Sequence, residues 1–546
     1  MPARKRAPSR ARIERTAREA FGFDELRPGQ LDGIRSALKG RDTLVVMSTG
    51  SGKSAIYQVA GMLLDGATVV VSPLISLQRD QIEAIDDELP GEAAALDGSV
   101  GEKERRRRLR DLAGEEIEFL FLAPEQLARE ETVRRLAAAG VSLLVIDEAH
   151  CISEWGHDFR PDYLRLGAFV EELGRPVVLA LTATASPPVR EEIVERLRME
   201  DPEVIVRGFD RPNIVLSVKR FHDERAKQEA LLERVRERTG SGIVYVATRK
   251  LAEELAERLE GAGVRARAYH GGMSSSRRDE SQQDFMADRV EVMVATTAFG
   301  MGVDKPDVRF VFHHDPSDSV DSYYQEIGRA GRDGEPAEAT LFYRSEDLGL
   351  RRFFAGGGLD GETIQRVAET VAETDEPVHP ADLREELDLS ESRTMSALSR
   401  LEDSGALELR PDGKVDPTRL EPDEVEDAVE QAAEAEQQRR LFDRSRLEMM
   451  RSYAEHDRCR RAFVLSYFGE PHQGECGNCD NCLAGHGRAE ASDEPFPAGE
   501  RVSHSEWGQG VVQRYDGDQM TVLFDAVGYK TLSVEIVAGR GLLSPA

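Results

Sequence analysis

Between residues 43 and 183 the chain returns five times to a short, uninterrupted apolar run: TLVVM at 43–47, TVVVS at 68–72, EFLFLA at 118–123, SLLVID at 142–147 and PVVLALTA at 176–183. The stretches between them have the spacing of amphipathic helices. Runs of this length alternating with helices predict strands buried on both faces, and hence a parallel α/β sheet. The pattern resumes after Pro212 with SGIVYVA at 241–247, RARAYH at 265–270, VEVMVAT at 290–296 and VRFVFHH at 308–314, which predicts a second α/β domain. From about Leu350 the strand runs stop. Residues 376–415 read helix, turn, helix and then a hairpin on Pro411-Asp412-Gly413, the outline of a winged helix. An acidic stretch from Glu421 to Glu436 gives way to a basic helical run from Arg439 to Arg461, which ends in a cysteine knuckle. Residues 485–497 carry no periodicity and read as a linker. The tail has short β-like runs broken at Asp516-Gly517 and Val527-Gly528, and reads as a small β-barrel over 498–546. The expected division is therefore an arm at 1–20, α/β domains at 21–207 and 208–348, a winged-helix-like domain at 349–418, a helical cysteine-bearing subdomain at 419–484, the linker and the barrel.

Composition adjusts this picture at three points. A chain of 546 residues is too long for one core, 40% hydrophobic residues allow several, and no apolar run approaches the length of a membrane span, so no membrane association is expected. The balance of 72 Lys+Arg against 102 Asp+Glu leaves a net charge of −30, which taken alone argues against a nucleic-acid partner. That argument fails locally, because a basic groove can sit inside an acidic envelope. Five cysteines are too few for a disulfide framework and no apolar-cored leader precedes them, so a reducing, cytoplasmic compartment is expected. Arg4, Lys5, Arg6, Arg10, Arg12 and Arg15 share the composition of an organellar transit peptide, but they run almost directly into Phe21 and are read as a disordered basic arm.

Three segments carry phosphate chemistry. MSTGSGKS at 47–54 lies between a strand and a helix. Gly50 and Gly52 let the backbone approach phosphates, Lys53 suits the β- and γ-phosphates, and Ser54 suits Mg²⁺, although Met47 stands where the strict motif has its first glycine. VIDEAH at 145–150 ends an apolar strand in two carboxylates. Asp147 can reach Mg²⁺ and Glu148 can orient or deprotonate an attacking water. QEIGRAGRDG at 325–334 places Arg329 and Arg332 three apart on what should be one helix face, from which they can project across an interdomain cleft to a γ-phosphate; in isolation they read as two solvated arginines.

Cys459, Cys476, Cys479 and Cys482 follow C-x16-C-x2-C-x2-C, a spacing that suits four thiolates around tetrahedral structural zinc, with an iron–sulfur cluster as the alternative. The fifth, Cys151, lies beside the acid pair and reads as a small packing residue.

With TAT at 182–184 and TTAFGMGVDKPDV at 296–308, these segments resemble superfamily 2 helicases, and further details narrow the resemblance to the RecQ family. MSTGSGKS is similar to that family's MPTGGGKS, and FGFDELRPGQ at 21–30 to its adenine-recognition motif, with Arg27 and Gln30 in the matching places. SPLISLQRDQ at 72–81, LAPEQL at 122–127, VATRK at 246–250 and DEAHCISEWGHDFRPDY at 147–163 match other family segments, and RSYAEHDRCRRAFVLSYFGEPHQGECGNCDNC at 451–482 resembles its zinc-binding subdomain. Over residues 20–345 the resemblance implies two tandem RecA-like domains and ATP held by Arg27, Gln30, Thr49, Gly50, Ser51, Gly52, Lys53, Ser54 and Gln325. It implies ATP, Mg²⁺ and Zn²⁺ as cofactors, and a DNA helicase moving 3′→5′ in repair or recombination in the bacterial cytoplasm, associated with the nucleoid. Trp155, His157 and Phe159 offer faces for stacking unpaired bases, and Arg160 can meet a phosphate.

Two departures from the family pattern stand out. The winged-helix-like segment precedes the zinc subdomain instead of following it, and its hairpin at 409–415 offers no aromatic wedge; the alternative for the whole segment is an acidic spacer domain that packs on the helicase and touches no DNA. The tail resembles the Tudor-like barrel of UvrD and PcrA helicases, which implies docking to a protein partner such as RNA polymerase, with Trp507 and Tyr515 as a contact patch or, as is usual for barrel aromatics, as part of the small core. Two other readings follow: a DNA-stimulated ATPase that translocates without unwinding, and an ATP-switched factor that recruits a partner to DNA.

Overall fold

Short apolar runs that lie deep in a sheet are buried along their whole length, and β1 (Thr43–Met47), β2 (Thr68–Val71), β4 (Phe119–Leu122) and β5 (Leu143–Ile146) are buried at every residue in this computed structural model. It describes residues 8–546 apart from 74, 99, 115, 154–159, 161, 162, 301, 302, 304, 350–358, 360, 375, 411–413, 417–421, 471, 473 and 487–493. With β3 (Ala93–Leu96), β6 (Val177–Thr182) and β7 (Glu203–Arg207) these strands form one parallel sheet in the order β3-β4-β2-β5-β6-β1-β7. The two strands that sequence reading missed, β3 and β7, are the sheet's edges. An edge strand is only half covered and does not need a continuous apolar run; Val204 in β7 is 47% exposed. The second sheet, also parallel, orders β8 (Ile214–Arg220), β9 (Ser241–Tyr245), β10 (Ala266–Tyr269), β11 (Val292–Ala295), β12 (Val308–His313) and β13 (Ala337–Tyr343) as β10-β11-β9-β12-β13-β8.

The chain divides into two compact units. The first comprises Met1–Met47, Ser51–Arg207 and Gly358–Arg439; the second comprises Ser48–Gly50, Gly208–Gly357 and Arg440–Ala546. The first unit corrects the expectation of a disordered arm over residues 10–20. Arg10–Phe21 is a helix capped by Ser9, and its Ile13, Ala17 and Phe21, spaced by four, join the core with Ile34 and Ile56. The arginines on its outer face mask this stripe in a composition reading. Residues 1–7 lie outside the described residues.

The first unit also holds helices Gly361–Ala372, Pro380–Leu387 and Glu391–Asp403, followed by the antiparallel pair β14 (Glu408–Leu409) and β15 (Val415–Asp416), which Val378 extends by a bridge to Val415. The expected turn at 411–413 lies outside the described residues. Ile364, Val367, Leu383, Leu398, Leu401 and Val415 close a core of their own. The third helix is tied to the first sheet's domain by a two-pronged ion pair from Arg196 to Asp403 at 2.7 and 2.8 Å, and Thr394, Ser399 and Arg400 on that helix are buried. The acidic stretch and the basic run that follows it form a single 34-residue helix, Pro422–Glu455.

In the second unit the tail forms an antiparallel sheet of β16 (Arg501–His504), β17 (Gly508–Asp516), β18 (Gln519–Phe524), β19 (Gly528–Ser533) and β20 (Leu543–Pro545), in the order β19-β18-β17-β16-β20, around Val502, Val512, Met520, Val522 and Phe524. The tail is docked on the helices that precede it. Ser445 Oγ accepts the Tyr529 N–H at 3.0 Å, the Tyr529 ring stacks on Tyr467 at 5.3 Å, and the Arg514 guanidinium lies 3.6 Å from the centre of the Phe463 ring. Gly528 has φ 70°, and a Cβ there would come within 2.2 Å of Ser445 Oγ, so the contact needs glycine. Trp507 and Tyr515 do not form the expected surface patch. Trp507 is partly buried, stacked on His504 at 4.2 Å and set edge-on to Phe524, while the Tyr515 hydroxyl donates to the Phe496 carbonyl at 2.7 Å. A sheet this small needs its aromatics for its core.

Candidate functional site

The phosphate loop leaves β1 at Met47 and enters helix Ser54–Gly61. Gly50 and Gly52 have φ of 75° and 74°, left-handed values that turn the loop tightly at little steric cost. Gln30, 6% exposed, holds this loop: its Nε2 donates to the Ser51 carbonyl at 3.0 Å and the Gly52 carbonyl at 2.8 Å, while its Oε1 accepts the Arg27 N–H at 2.8 Å. The two residues expected to bind adenine are thus structurally joined to the loop that contains Thr49, Gly50, Ser51, Gly52, Lys53 and Ser54. Lys53 Nζ donates to the Met47 carbonyl at 3.0 Å.

The acid pair follows β5, which is separated from β1 only by β6. Asp147 and the loop therefore share the carboxyl edge of one parallel sheet, the edge at which such sheets bind ligands. Burial and the neighbouring Glu148 charge push the Asp147 carboxyl up to about 7, and the Lys53 ammonium acts the other way. A divalent cation bound there would lower it again. Glu148 takes φ 49° and ψ 46°, a left-handed conformation for a residue with a Cβ that costs on the order of 1–2 kcal/mol. His150, fully buried, lies 3.3 Å from Glu148 Oε2 and 2.9 Å from Thr182 Oγ1, and Thr182 in turn donates to the Thr184 carbonyl at 3.1 Å. His150 and Thr182 lie within motifs legible in the sequence, but only the fold brings them together beside the acid pair. Cys151 is fully buried, in keeping with a packing role. Arg160 donates to the Pro73 carbonyl at 3.1 Å, and Trp155, His157 and Phe159 lie outside the described residues.

In the second unit the segment with the two arginines departs from the expectation of a shared helix face. Helix Val320–Ile327 carries Gln325 and ends before Gly328, and Arg329 and Arg332 sit in the turns that follow. Gly331, φ 57°, turns the chain between the two arginines, and its N–H donates to the Val308 carbonyl at 2.9 Å. Arg329 is 4% exposed, and its Nε has no hydrogen-bond partner among the described residues. It lies beside Tyr245, whose phenol burial pushes up to about 12 while the Arg329 cation acts to lower it. Arg332 donates to the Val303 carbonyl at 2.7 Å. Glu326, between Gln325 and Arg329, is held by Ser317 at 2.6 Å and His313 at 2.7 Å.

The four cysteines of the knuckle place their Sγ atoms within 4.8 Å of one another, with Cys476 and Cys482 at 3.9 Å. Four thiolates around zinc require separations of about 3.8 Å, so the set fits the ion. The surrounding donors fit as well: the N–H groups of Ala462, Asn478 and Cys482 point at the sulfurs of Cys459, Cys476 and Cys479 at 3.4–3.5 Å. Hydrogen bonding to Cys459 holds the Cys479 thiol below the ordinary range and lifts Cys476 above it. The knuckle is sewn to the second sheet: Asp480 accepts the Val218 N–H at 2.8 Å and the Arg460 guanidinium at 2.6 Å, and Cys479 bridges Leu216.

A phosphate loop and an acid pair on one parallel sheet, with two arginines in the turns after a helix of a second α/β domain, are the parts of a nucleotide-hydrolysing motor of the helicase type. The family models agree. The DEAD/DEAH box helicase model matches residues 27–193, the helicase conserved C-terminal domain 226–334 and RecQ zinc-binding 423–483. A probable ATP-dependent DNA helicase RecS of Bacillus subtilis is 35% identical over 86% of this chain and 92% of its own length. ATP-dependent DNA helicases RecQ of Haemophilus influenzae and Bacillus subtilis are 35% and 34% identical over 85% of this chain, which spans 62% and 65% of those longer proteins. The chain belongs to the RecQ family of ATP-dependent DNA helicases. Among solved structures it shares its fold with the Mycobacterium smegmatis helicase Lhr bound to ssDNA and AMP-PNP, at 22% identity and TM-score 0.50 over 90% of this chain and 68% of that one. It also shares its fold with the DEAD-box helicase Mss116 bound to ssRNA and UDP-BeF, at 17% identity and TM-score 0.52 over 70% and 87%. No helix among the described residues is long and apolar enough to cross a membrane.

Proposed function

We propose that this chain couples ATP hydrolysis to 3′→5′ movement on single-stranded DNA and to separation of the duplex ahead, in repair or recombination at the nucleoid of a bacterial cytoplasm. The observation that carries the reading is the glycine-freed loop and the two adjacent carboxylates on one edge of one parallel sheet. Arg27, Gln30 and Gln325 bind the nucleotide, and the N–H groups of the loop from Thr49 to Ser54 cradle its phosphates. Lys53 neutralises β- and γ-phosphate charge. Ser54 and Asp147 hold Mg²⁺, which when bound neutralises charge between those phosphates. Glu148, braced by His150 and Thr182, orients the attacking water and takes its proton. Arg329 and Arg332 supply positive charge as the γ-phosphoryl group is transferred. Trp155, His157 and Phe159 stack unpaired bases and Arg160 meets the backbone. The four cysteines hold structural zinc, and Cys479→Ser releases it, as metal analysis of the purified protein will read. Residues 349–418 are taken as winged-helix-like and 498–546 as a Tudor-like barrel that presents a surface to a protein partner.

Strand displacement on a forked duplex tests this reading, with a 3′ tail beside a 5′-tailed control and with hydrolysis followed in the same tubes. Displacement on the 3′ tail alone, abolished in Lys53→Ala, is expected. Wild-type hydrolysis by Lys53→Ala removes the assignment. One observation favours a second reading, a translocase that does not unwind. Residues 360–438 contain 24 acidic and 7 basic side chains, and the helix that a winged helix would offer to a groove is buried, so this segment repels phosphate and has little to insert into a duplex. Hydrolysis without displacement on either tail would select it.

A further inference from the structure

We infer that Arg211 and Asn213 are positioning residues for hydrolysis, holding the main chain of the loop that carries Arg329 and Arg332; the inference rests on the role proposed for those arginines. The loop starts where helix Val320–Ile327 ends, and a helix end leaves carbonyls without partners from the helix itself. Here they are met from a segment more than a hundred residues earlier in the chain. Arg211 donates to the carbonyls of Gly328 at 3.2 Å, Ala330 at 2.8 Å and Gly331 at 2.9 Å, and Asn213 Nδ2 donates to those of Gly331 at 2.8 Å and Glu335 at 2.9 Å; Arg211 also makes a longer contact, 3.4 Å, to the Thr49 carbonyl of the phosphate loop. Two side chains thus hold four carbonyls that flank both arginines, and the guanidinium contacts are charge-assisted. The glycine at 331 fits this arrangement twice over. Its φ of 57° favours glycine, and a Cβ would come within 2.4 Å of Asn213 Nδ2.

The segment that bears Arg211 and Asn213 is itself rigidly seated. The Phe209 N–H donates to Glu470 at 2.8 Å, its carbonyl accepts the Tyr324 hydroxyl at 2.6 Å, and its ring stacks on Phe468 at 4.4 Å. The carbonyls of Pro212 and Ile214 accept Asn478 Nδ2 and the Arg461 guanidinium, both at 2.8 Å. A loop without regular hydrogen bonding keeps a charged group to within a fraction of an ångström only if its main chain is fixed, and a misplacement of about 1 Å lowers rate by roughly 100-fold. Arg211 and Asn213 touch no reacting atom in this account. Their effect on chemistry runs through Arg329 and Arg332; a loss that ran instead through the Thr49 contact would persist when both arginines are absent.

The test measures kcat and KM for ATP at saturating single-stranded DNA, together with DNA affinity and thermal stability, for full-length Arg211→Ala, Arg211→Lys and Asn213→Ala, each also combined with Arg329→Ala and Arg332→Ala together. Arg211→Ala is expected to lower kcat about 10-fold or more with KM within about 3-fold, Lys to restore part of the loss, and Asn213→Ala to cost about 3-fold. On the background that lacks both loop arginines the Arg211→Ala change should add less than about 2-fold, because the groups being positioned are gone. A wild-type kcat in Arg211→Ala, or its full loss repeated on that background, overturns the inference. Should Arg211→Ala lose thermal stability, Arg211→Lys and Asn213→Ala decide by the same criteria. A wild-type kcat in Arg329→Ala itself sinks the arginine role proposed above, whereas a loss there beside unaffected Arg211 variants sinks only the positioning.

Discussion

The phosphate loop of the first unit and the arginine loop of the second solve one problem with different groups. Both are irregular, both turn on left-handed glycines, and both have carbonyls held by side chains from elsewhere in the chain. In the phosphate loop a neutral amide, Gln30, makes the short contacts, reaching Ser51 and Gly52 from 21 and 22 residues away, and Arg211 adds only a 3.4 Å contact to Thr49. In the arginine loop a guanidinium and an amide, Arg211 and Asn213, reach four carbonyls from 117 to 122 residues away. The difference follows from what each loop presents. A phosphate loop works through its own N–H groups, so its main chain must stay open to a ligand and only a few carbonyls are held. A loop that works through two long side chains can have its main chain tied down on one side without cost to that work.

That contrast is sharpest where either loop loses its working group. Lys53→Ala or Glu148→Gln should lower turnover by about 10³-fold or more while single-stranded DNA binding stays within a few-fold, as hydrolysis and fluorescence-anisotropy measurements will read. Next in size, Arg329→Ala or Arg332→Ala should lower kcat by roughly 100- to 1,000-fold with KM for ATP nearly kept; a KM that rises by the same factor makes these arginines ground-state binders and erases the distinction between the loops. Gln30→Ala should act the other way round, raising KM for ATP about 10-fold with kcat within about 3-fold, because it loosens a cradle and not a catalytic charge. The smallest effect belongs to Gly528→Val, in the docked tail. It should lower the thermal midpoint by about 2–4 °C through its clash with Ser445 and leave hydrolysis within about 2-fold, so a larger loss of activity there would tie the tail to one of the loops.

Several elements of this protein are local in origin and were legible as such. β1, β2, β4 and β5 are continuous apolar runs because they are covered on both faces. The glycines of 50–52 and the cysteine steps of 476–482 announce backbone turns and ligand spacing within a few residues. The misses also have physical causes. Edge strands β3, β7 and β8 lack the continuous burial that makes a run apolar, interior strand β13 is missed too because Glu338 and Thr340 interrupt its apolar residues, and the stripe of Ile13, Ala17 and Phe21 is hidden among arginines on the helix's other face. A spacing of three suggests one helix face for the two arginines, but the helix ends at Ile327, before either residue, and Gly331 turns the chain between them.

By itself the sequence determined the two parallel sheets, the phosphate loop, the acid pair and the four-cysteine set, because burial periodicity, glycine turns and ligand spacing are written over a few neighbouring residues. The tertiary structure alone decided that His150 meets Thr182 beside Glu148, that the tail is docked through Gly528 and Arg514, that the third helix of the acidic segment is buried, and that Arg211 and Asn213 hold the arginine loop. These contacts join residues tens to hundreds of positions apart. Nothing in local periodicity marks such partners, since a donor aimed at a distant carbonyl looks in the chain like any other polar side chain.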